Sequence, residues 1–348
     1  METNTTVPRL TAWAVALPLV RPFTSAGGQL RSRRVVIVRL QSEGHTGWGE
    51  AAPVPGHTSE TAETVWDEIT QRRGDGAFSG MAGAALAQAR ADLRAKQAGV
   101  PLWRMLGGTQ PVWASAAIGL DDAGQPDLER LEAAIAEGYR RAKLKITADV
   151  DPRVLARACE LMPAGDLGLD ANGSLADAGR ALMTRIDKSG FAYLEQPGSI
   201  ADLDWHAELR QALSTPLALD ESAHSLAAID AILAAGAADI INLKVGRFGT
   251  RETLEIAKRV VTTGIAVRLG GLIESGIGRA HTVAVATCAD FTGLNDIAGS
   301  DRYLTDDLVI PSWRLDSGLL PRPEQPGIGV AVDEEAVEHF ATARFDGE

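Results

Sequence analysis

The chain has 348 residues, 45% of them apolar and 23% charged, and a net charge of −12. That apolar mass suffices for a large core and excludes a disordered chain, and the acidic balance argues against a nucleic-acid or anionic-membrane binder. Two cysteines exclude a disulfide framework, and no CxxC or Cys/His cluster signals a zinc site.

The N-terminus shows no basic segment followed by an apolar one, and Pro18 interrupts the first apolar run, so no signal peptide is expected. No stretch approaches the roughly 20 uncharged apolar residues of a membrane span, and the expected compartment is the cytoplasm. Alternating patterns at 10–17, 34–40 and 46–50 predict antiparallel strands. Helical patterns follow at 60–71 and 84–98, the second stopped by Gly99 and Pro101. Residues 1–112 therefore read as an α+β unit. It holds two loops, 21–30 with Gly27-Gly28 at its tip and 52–60 with His57 and Thr58. Each fits a lid or a plain connector equally well.

From residue 113 the pattern changes. Short apolar runs at 113–118, 142–146, 167–170, 192–195, 217–220, 240–244, 266–269 and 291–294 alternate with helical stretches at 127–137, 153–162, 177–186, 203–213, 227–235 and 251–262. Strand–helix alternation predicts a parallel sheet. The run ends Lys145, Asp170, Glu195, Asp220, Lys244 and Leu269 lie 25, 25, 25, 24 and 25 residues apart. Extended both ways, this period yields eight units, so the expected fold is a (β/α)8-type barrel over 113–306. A doubly wound open sheet would not require eight units, and no GxGxxG follows the first strand. Residues 307–348 read as short strands that return to the N-terminal unit, so both ends of the chain are expected to build an α+β capping domain.

The charges at this period carry the functional argument. Strand C-termini of a barrel converge on one mouth, where such folds place their chemistry. A lone polar residue ending a strand is ordinary; three carboxylates at successive ends, flanked by lysines, are not. Asp170, Glu195 and Asp220 offer hard oxygen ligands suited to Mg²⁺, with Mn²⁺ as a substitute. Lys145 and Lys244 are expected on opposite sides of the mouth. A cation or a second lysine such as Lys143 nearby disfavours a lysine ammonium, so the amine can serve as a base near neutral pH. The expected chemistry is proton abstraction α to the carboxylate of a small molecule, the metal and an ammonium stabilising the enediolate. A non-catalytic barrel would have no use for an intact acid/base pair. His206 and His224, beside helical patterns, read as surface or capping residues, and Cys159 and Cys288 as buried free thiols.

These residues resemble the enolase superfamily, in its muconate-lactonizing subgroup. The resemblance rests on Lys143-Leu144-Lys145, Asp170-Ala171-Asn172, Glu195-Gln196-Pro197, Asp220-Glu221-Ser222 and Asn242-Leu243-Lys244. Segments 270–281, GGLIESGIGRAH with Glu274 and Ser275, and 296–303, DIAGSDRY with Asp296, are similar to the o-succinylbenzoate synthase / N-succinylamino acid racemase family. The resemblance implies Mg²⁺ on Asp170, Glu195 and Asp220, and Lys145 and Lys244 as the acid/base pair with Lys143 assisting. It implies supporting roles for Asn172, Glu221, Glu274, Ser275 and Asp296, and substrate selection by Phe23, Thr24, Ser25, His57 and Thr58. Arg247 matches an arginine of the racemising members. The implied reactions are a syn dehydration towards a menaquinone precursor, with Lys145 as base and then acid, or a racemisation that uses both lysines; a homo-oligomer is also implied. One departure stands at the eighth strand, where Leu294-Asn295-Asp296 replaces the family's Pro-Gly-Asp. A dipeptide epimerase's Asp-x-Asp is absent there as well.

Overall fold

A computed structural model of the chain describes residues 7–25, 28–71, 78–175, 179–291 and 295–347. The N-terminal strands form where alternation predicts them: β1 (Arg9–Ser25), β2 (Gly28–Ser42) and β3 (His45–Ala51). Helices α1 (Ala62–Gln71) and α2 (Gly80–Gln97) follow, then one turn of helix, α3 (Leu102–Met105). The antiparallel sheet has a fourth member from the far end of the chain. The tail runs through β12 (Val309–Ile310), β13 (Leu319–Leu320), β14 (Ala331–Val332), α12 (Glu334–Phe340) and β15 (Ala341–Asp346), and β15 pairs with β1. The order is β15-β1-β2-β3, so both ends of the chain build one cap.

Asp92 on α2 locks the two ends together. Its buried carboxylate accepts from the Trp48 backbone N–H at 2.9 Å, the Ile328 backbone N–H at 2.7 Å and Lys96 Nζ at 2.8 Å. Asp92→Ala would strand two buried N–H groups at about 1–3 kcal/mol each. The expected result is a loss of about 3 kcal/mol or more of unfolding free energy in urea titration.

The barrel strands are β5 (Ala116–Ile118), β6 (Ala142–Lys145), β7 (Leu167–Asp170), β8 (Tyr193–Glu195), β9 (Leu217–Leu219), β10 (Ile240–Leu243) and β11 (Ala266–Leu269), all parallel and hydrogen-bonded in that order. Outside them lie α4 (Leu128–Ala136), α5 (Pro152–Leu161), α6 (Arg180–Ile186), α7 (Leu203–Ala212), α8 (Leu226–Ala235), the short α9 (Val245–Phe248), α10 (Thr250–Val261) and α11 (Gly276–Ala286). The helix starts are legible: Asp127, Asp151, Asp202 and Ser225 each accept a first-turn N–H with the side chain, satisfying a donor that has no intrahelical partner.

One strand expectation needs correction, and another falls largely outside the described residues. The run at 113–118 is two strands, because Val112–Trp113 (β4) pairs with β13 of the tail and only Ala116–Ile118 joins the barrel. The eighth stave was expected at 291–294, of which 292–294 lie outside the described residues; the described pairing is at Asp296 and Ile297. Asp296 N–H donates to Leu269 O at 2.7 Å, Asp296 O accepts from Gly271 N–H at 3.0 Å, and Ile297 O accepts from Ser115 N–H at 2.9 Å. These bonds tie β11 through the eighth stave to the start of the first strand and close the ring. The stave then runs into a 3-10 turn at Ser300–Arg302 rather than an eighth helix.

Cap and barrel meet through buried polar groups. Glu50 on β3 accepts from Ser275 N–H at 2.9 Å, Ser275 Oγ at 2.6 Å and Gly278 N–H at 2.9 Å, at the start of α11. Burial pushes its carboxyl up to about 7, against the pull of those donors. Arg33 donates to Pro53 O at 2.7 Å and Leu272 O at 3.0 Å, tying the base of the 52–60 loop to the seventh barrel loop. Burial lowers its guanidinium to about 10. Among the described residues no helix is long and apolar enough to cross a membrane.

Candidate active site

Because each βα unit repeats at 25 residues, the polar strand ends arrive side by side. In the parallel ladder Lys145 lies beside Asp170, and Asp170 beside Glu195; Asp220 directly follows β9 and Lys244 directly follows β10. Lys145 and Lys244 stand on the second and sixth of eight staves, four steps apart either way round, and so on opposite sides of the mouth. Both line a cavity of about 1030 Å³ between barrel and cap, together with Lys143, Asp170, Asn172, Asp220 and Asp296.

Every carboxylate here is turned onto a cation. Lys143 Nζ sits among Asp170 Oδ2 at 2.9 Å, Glu195 Oε1 at 3.1 Å and Asp296 Oδ2 at 2.8 Å. Burial disfavours this ammonium, but Asp170, Asp296 and Glu195 outweigh it and raise its pKa well above the ordinary lysine value. Lys143 is thus the counter-ion of the acid cluster. Asp220 pairs with Lys244 Nζ at 2.8 Å and Arg247 Nη1 at 3.1 Å. Burial pushes the Asp220 carboxyl up, yet Lys244 and Arg247 prevail and hold it far below the usual carboxylate range. Glu195 is fully buried, and burial pushes it up to about 8 against Arg268 and Lys143. Lys145 makes no ion pair or side-chain hydrogen bond among the described residues.

As these side chains stand, no three His, Cys, Asp or Glu residues converge on a metal position among the described residues. The donor chemistry nevertheless fits a hard divalent cation: three carboxylates on neighbouring strands, two of them on the Lys143 ammonium that stands in their midst.

The 52–60 loop reaches the same acids. His57 Nδ1 lies 3.2 Å from Glu221 Oε1, and its carbonyl accepts from Arg247 Nη2 at 3.1 Å. Asn172, at φ 42°, takes its N–H to Asp170 Oδ1 at 3.0 Å and its side-chain amide to Glu221 Oε1 at 2.9 Å. Burial raises the Glu221 carboxyl, but the His57 contact tips it below the ordinary value.

Other expected residues lie elsewhere. Thr58 spends its hydroxyl inside its own loop, donating to Glu60 O at 2.8 Å and accepting from Val54 N–H at 3.1 Å. Glu274 accepts from Leu272 N–H, and Ser275 caps α11, so these two act behind the cavity rather than on it. Phe23, Thr24 and Ser25 are placed by their backbone in the β1–β2 hairpin, while their side chains lie outside the described part. His206, expected at the surface, is fully buried and accepts the Gly198 N–H through Nε2, because the loop after Glu195 turns back over α7. Cys159 is only half-buried. The unusual Asn295 is structural: its Oδ1 accepts from Leu269 N–H at 2.9 Å and leaves Asp296 to face Lys143.

Sequence reasoning missed three interior residues. Asn242 lies under the site with Nδ2 3.5 Å from Glu195 Oε1, and Gly270 leaves it room, since a Cβ there would meet Asn242 at 2.7 Å and Lys244 Nζ at 3.0 Å. The Asn-Leu-Lys motif was the available signal. Gln196 is fully buried and its Oε1 accepts from Asp220 N–H and Ser222 N–H, pinning one strand end to the next. Arg268 pairs with Glu195 Oε2 and has no sequence signal beyond a charge within an apolar run.

Residues 127–336 match the family described as Enolase C-terminal domain-like. An o-succinylbenzoate synthase of Geobacillus kaustophilus is 35% identical over 93% of each chain. An N-succinylamino acid racemase of Thermus thermophilus is 34% identical over 92% of this chain and 94% of its own. Among solved structures, an enolase-superfamily member from Listeria innocua superposes with a TM-score of 0.87 and 28% identity over 99% of both chains.

Proposed function

The chain belongs to the enolase superfamily, and from that premise we propose that it removes a proton α to a substrate carboxylate, with a dehydration of the o-succinylbenzoate synthase type as its reaction. The observation that carries this reading is the placement of Lys145 and Lys244 on opposite staves, facing one cavity across the carboxylates between them.

In this reading a divalent cation held by Asp170, Glu195 and Asp220, Mg²⁺ with Mn²⁺ as a substitute, would supply Lewis-acid charge towards the substrate carboxylate. Lys145 takes the α-proton, since its amine makes no ion pair or side-chain hydrogen bond among the described residues. It then returns that proton to the β-hydroxyl, which leaves as water. Lys244, paired with Asp220, faces the electron-rich side of the intermediate. Lys143 holds Asp170, Glu195 and Asp296 in place, and Asn172 and Glu221 orient the strand ends. His57 closes over the site from the cap.

A second reading, N-acylamino acid racemisation, is favoured by the lysine on the second face, which a one-base dehydration does not need as a proton carrier, and by the similar racemase. Purified protein with Mg²⁺ is expected to convert the hydroxycyclohexadiene dicarboxylate precursor to the aromatic product, followed by absorbance. In D₂O, N-succinyl amino acids report on the second reading by deuterium uptake at Cα. Absence of both dehydration and exchange would overturn the proposed chemistry.

A further inference from the structure

Beneath the mouth, inside the barrel, lies a guanidinium that the mechanism above does not use. Arg268 on β11 is 1% exposed and contacts Glu195 Oε2 through Nη2. Its guanidinium carbon stands 4.1 Å from the centre of the Tyr193 ring on β8. Gly168 on β7 makes the room: a Cβ there would run into the Tyr193 ring. Three neighbouring residues on three strands are therefore fitted to one another, a missing side chain, an aromatic face and a cation. Arg268 Nε and Nη1 have no hydrogen-bond partner among the described residues, and the carboxylate this buried cation touches is Glu195. The two oxygens of Glu195 consequently differ. Oε2 faces down onto Arg268, and Oε1 faces Lys143 and Asn242 at the mouth.

We propose that Arg268 is a positioning residue that makes Glu195 a one-oxygen ligand and, by its fixed positive charge, sets how tightly the site holds a divalent cation. The inference rests on the reading of Asp170, Glu195 and Asp220 as the metal-holding set. A guanidinium is always charged and its planar fork orients a carboxylate. A permanent cation touching one ligand oxygen repels a divalent ion held by the other, and in a buried site that repulsion is weakly screened. Tyr193 stabilises the charge further through its ring face.

The test is a Mn²⁺ binding titration of the full chain, with free Mn²⁺ read by electron paramagnetic resonance. Arg268→Gln keeps an N–H donor for Oε2 and removes the charge; it is expected to bind Mn²⁺ about tenfold more tightly than wild type. Arg268→Lys keeps the charge and is expected to stay within about twofold. Circular dichroism and gel filtration confirm folding, and Arg268→Met replaces the glutamine variant should that one fail to fold. Unchanged or weaker binding in the uncharged variant, or an equal gain in the lysine variant, would overturn the proposal while leaving the metal reading intact. Wild type that binds no Mn²⁺, or binding that survives Asp220→Asn unchanged, would overturn the metal reading and the role of Arg268 with it.

Discussion

Lys145→Ala is expected to lower kcat by about 10³-fold or more, towards the upper end of what a positioned general base contributes, while divalent-cation binding is retained. The reason lies in how the three mouth lysines are committed. Lys143 is held by three carboxylates and Lys244 by Asp220, with the Gly271 carbonyl 3.2 Å from its Nζ. A base must be within reach of the proton it takes, and an amine clasped by carboxylates is already occupied. Lys145 ends β6, lines the cavity and carries no such clasp among the described residues. Lys145→Arg retains charge and length but cannot deprotonate in the working range, and is expected to be equally inactive. Steady-state dehydration and Cα exchange rates measure both variants. Arginine-variant activity near wild type would assign Lys145 to charge stabilisation and move the base elsewhere.

The legibility of this site has a physical basis. In a parallel barrel one strand, one helix and two short loops fill each turn of the ring, so strand ends recur at a fixed interval. A charged residue recurring at that interval therefore reports a position in space as well as in sequence. Lys145, Asp170, Glu195, Asp220 and Lys244 were readable for that reason. The cap was readable at lower resolution, because alternation marks β1 to β3 while strands as short as β12 to β14 carry no period.

What stayed hidden has no periodic signature. Thr58 and Ser275 sit in loop segments that look functional, yet their hydroxyls satisfy nearby backbone or cap–barrel contacts. Nothing in a linear pattern separates a hydroxyl aimed at a ligand from one aimed at a loop. Arg268 and Tyr193 occupy interior positions where the pattern predicts apolar filling, and only the gap left by Gly168 explains how they fit. The ring closes through the backbone of Asp296 and Ile297, to which Asn295 adds its side chain.

Asp220→Asn is expected to weaken divalent-cation binding by about 100-fold or more and to abolish turnover at millimolar Mg²⁺. Two effects act in the same direction. A hard anionic oxygen is replaced by a neutral amide, a poorer ligand for Mg²⁺. At the same time Lys244 and Arg247 lose their common counter-ion, since both contact Asp220, at 2.8 and 3.1 Å. The mouth gains one unit of net positive charge at a place that is nine-tenths or more buried for all three side chains. Repulsion between those cations and a divalent ion a few ångströms away amounts to about 4 kcal/mol per unit-charge pair at 4 Å and an effective dielectric of 20, more than the roughly 2.7 kcal/mol that a hundredfold change requires. Calorimetric titration with Mg²⁺ measures the loss. The variant separates this role from simple folding, because Arg247 also donates to the His57 carbonyl of the 52–60 loop. If Asp220 only anchored Arg247, that loop would loosen and KM would rise while metal affinity held. Retained affinity with raised KM would therefore overturn the reading of Asp170, Glu195 and Asp220 as the metal-holding set and leave Asp220 as an anchor of the cap.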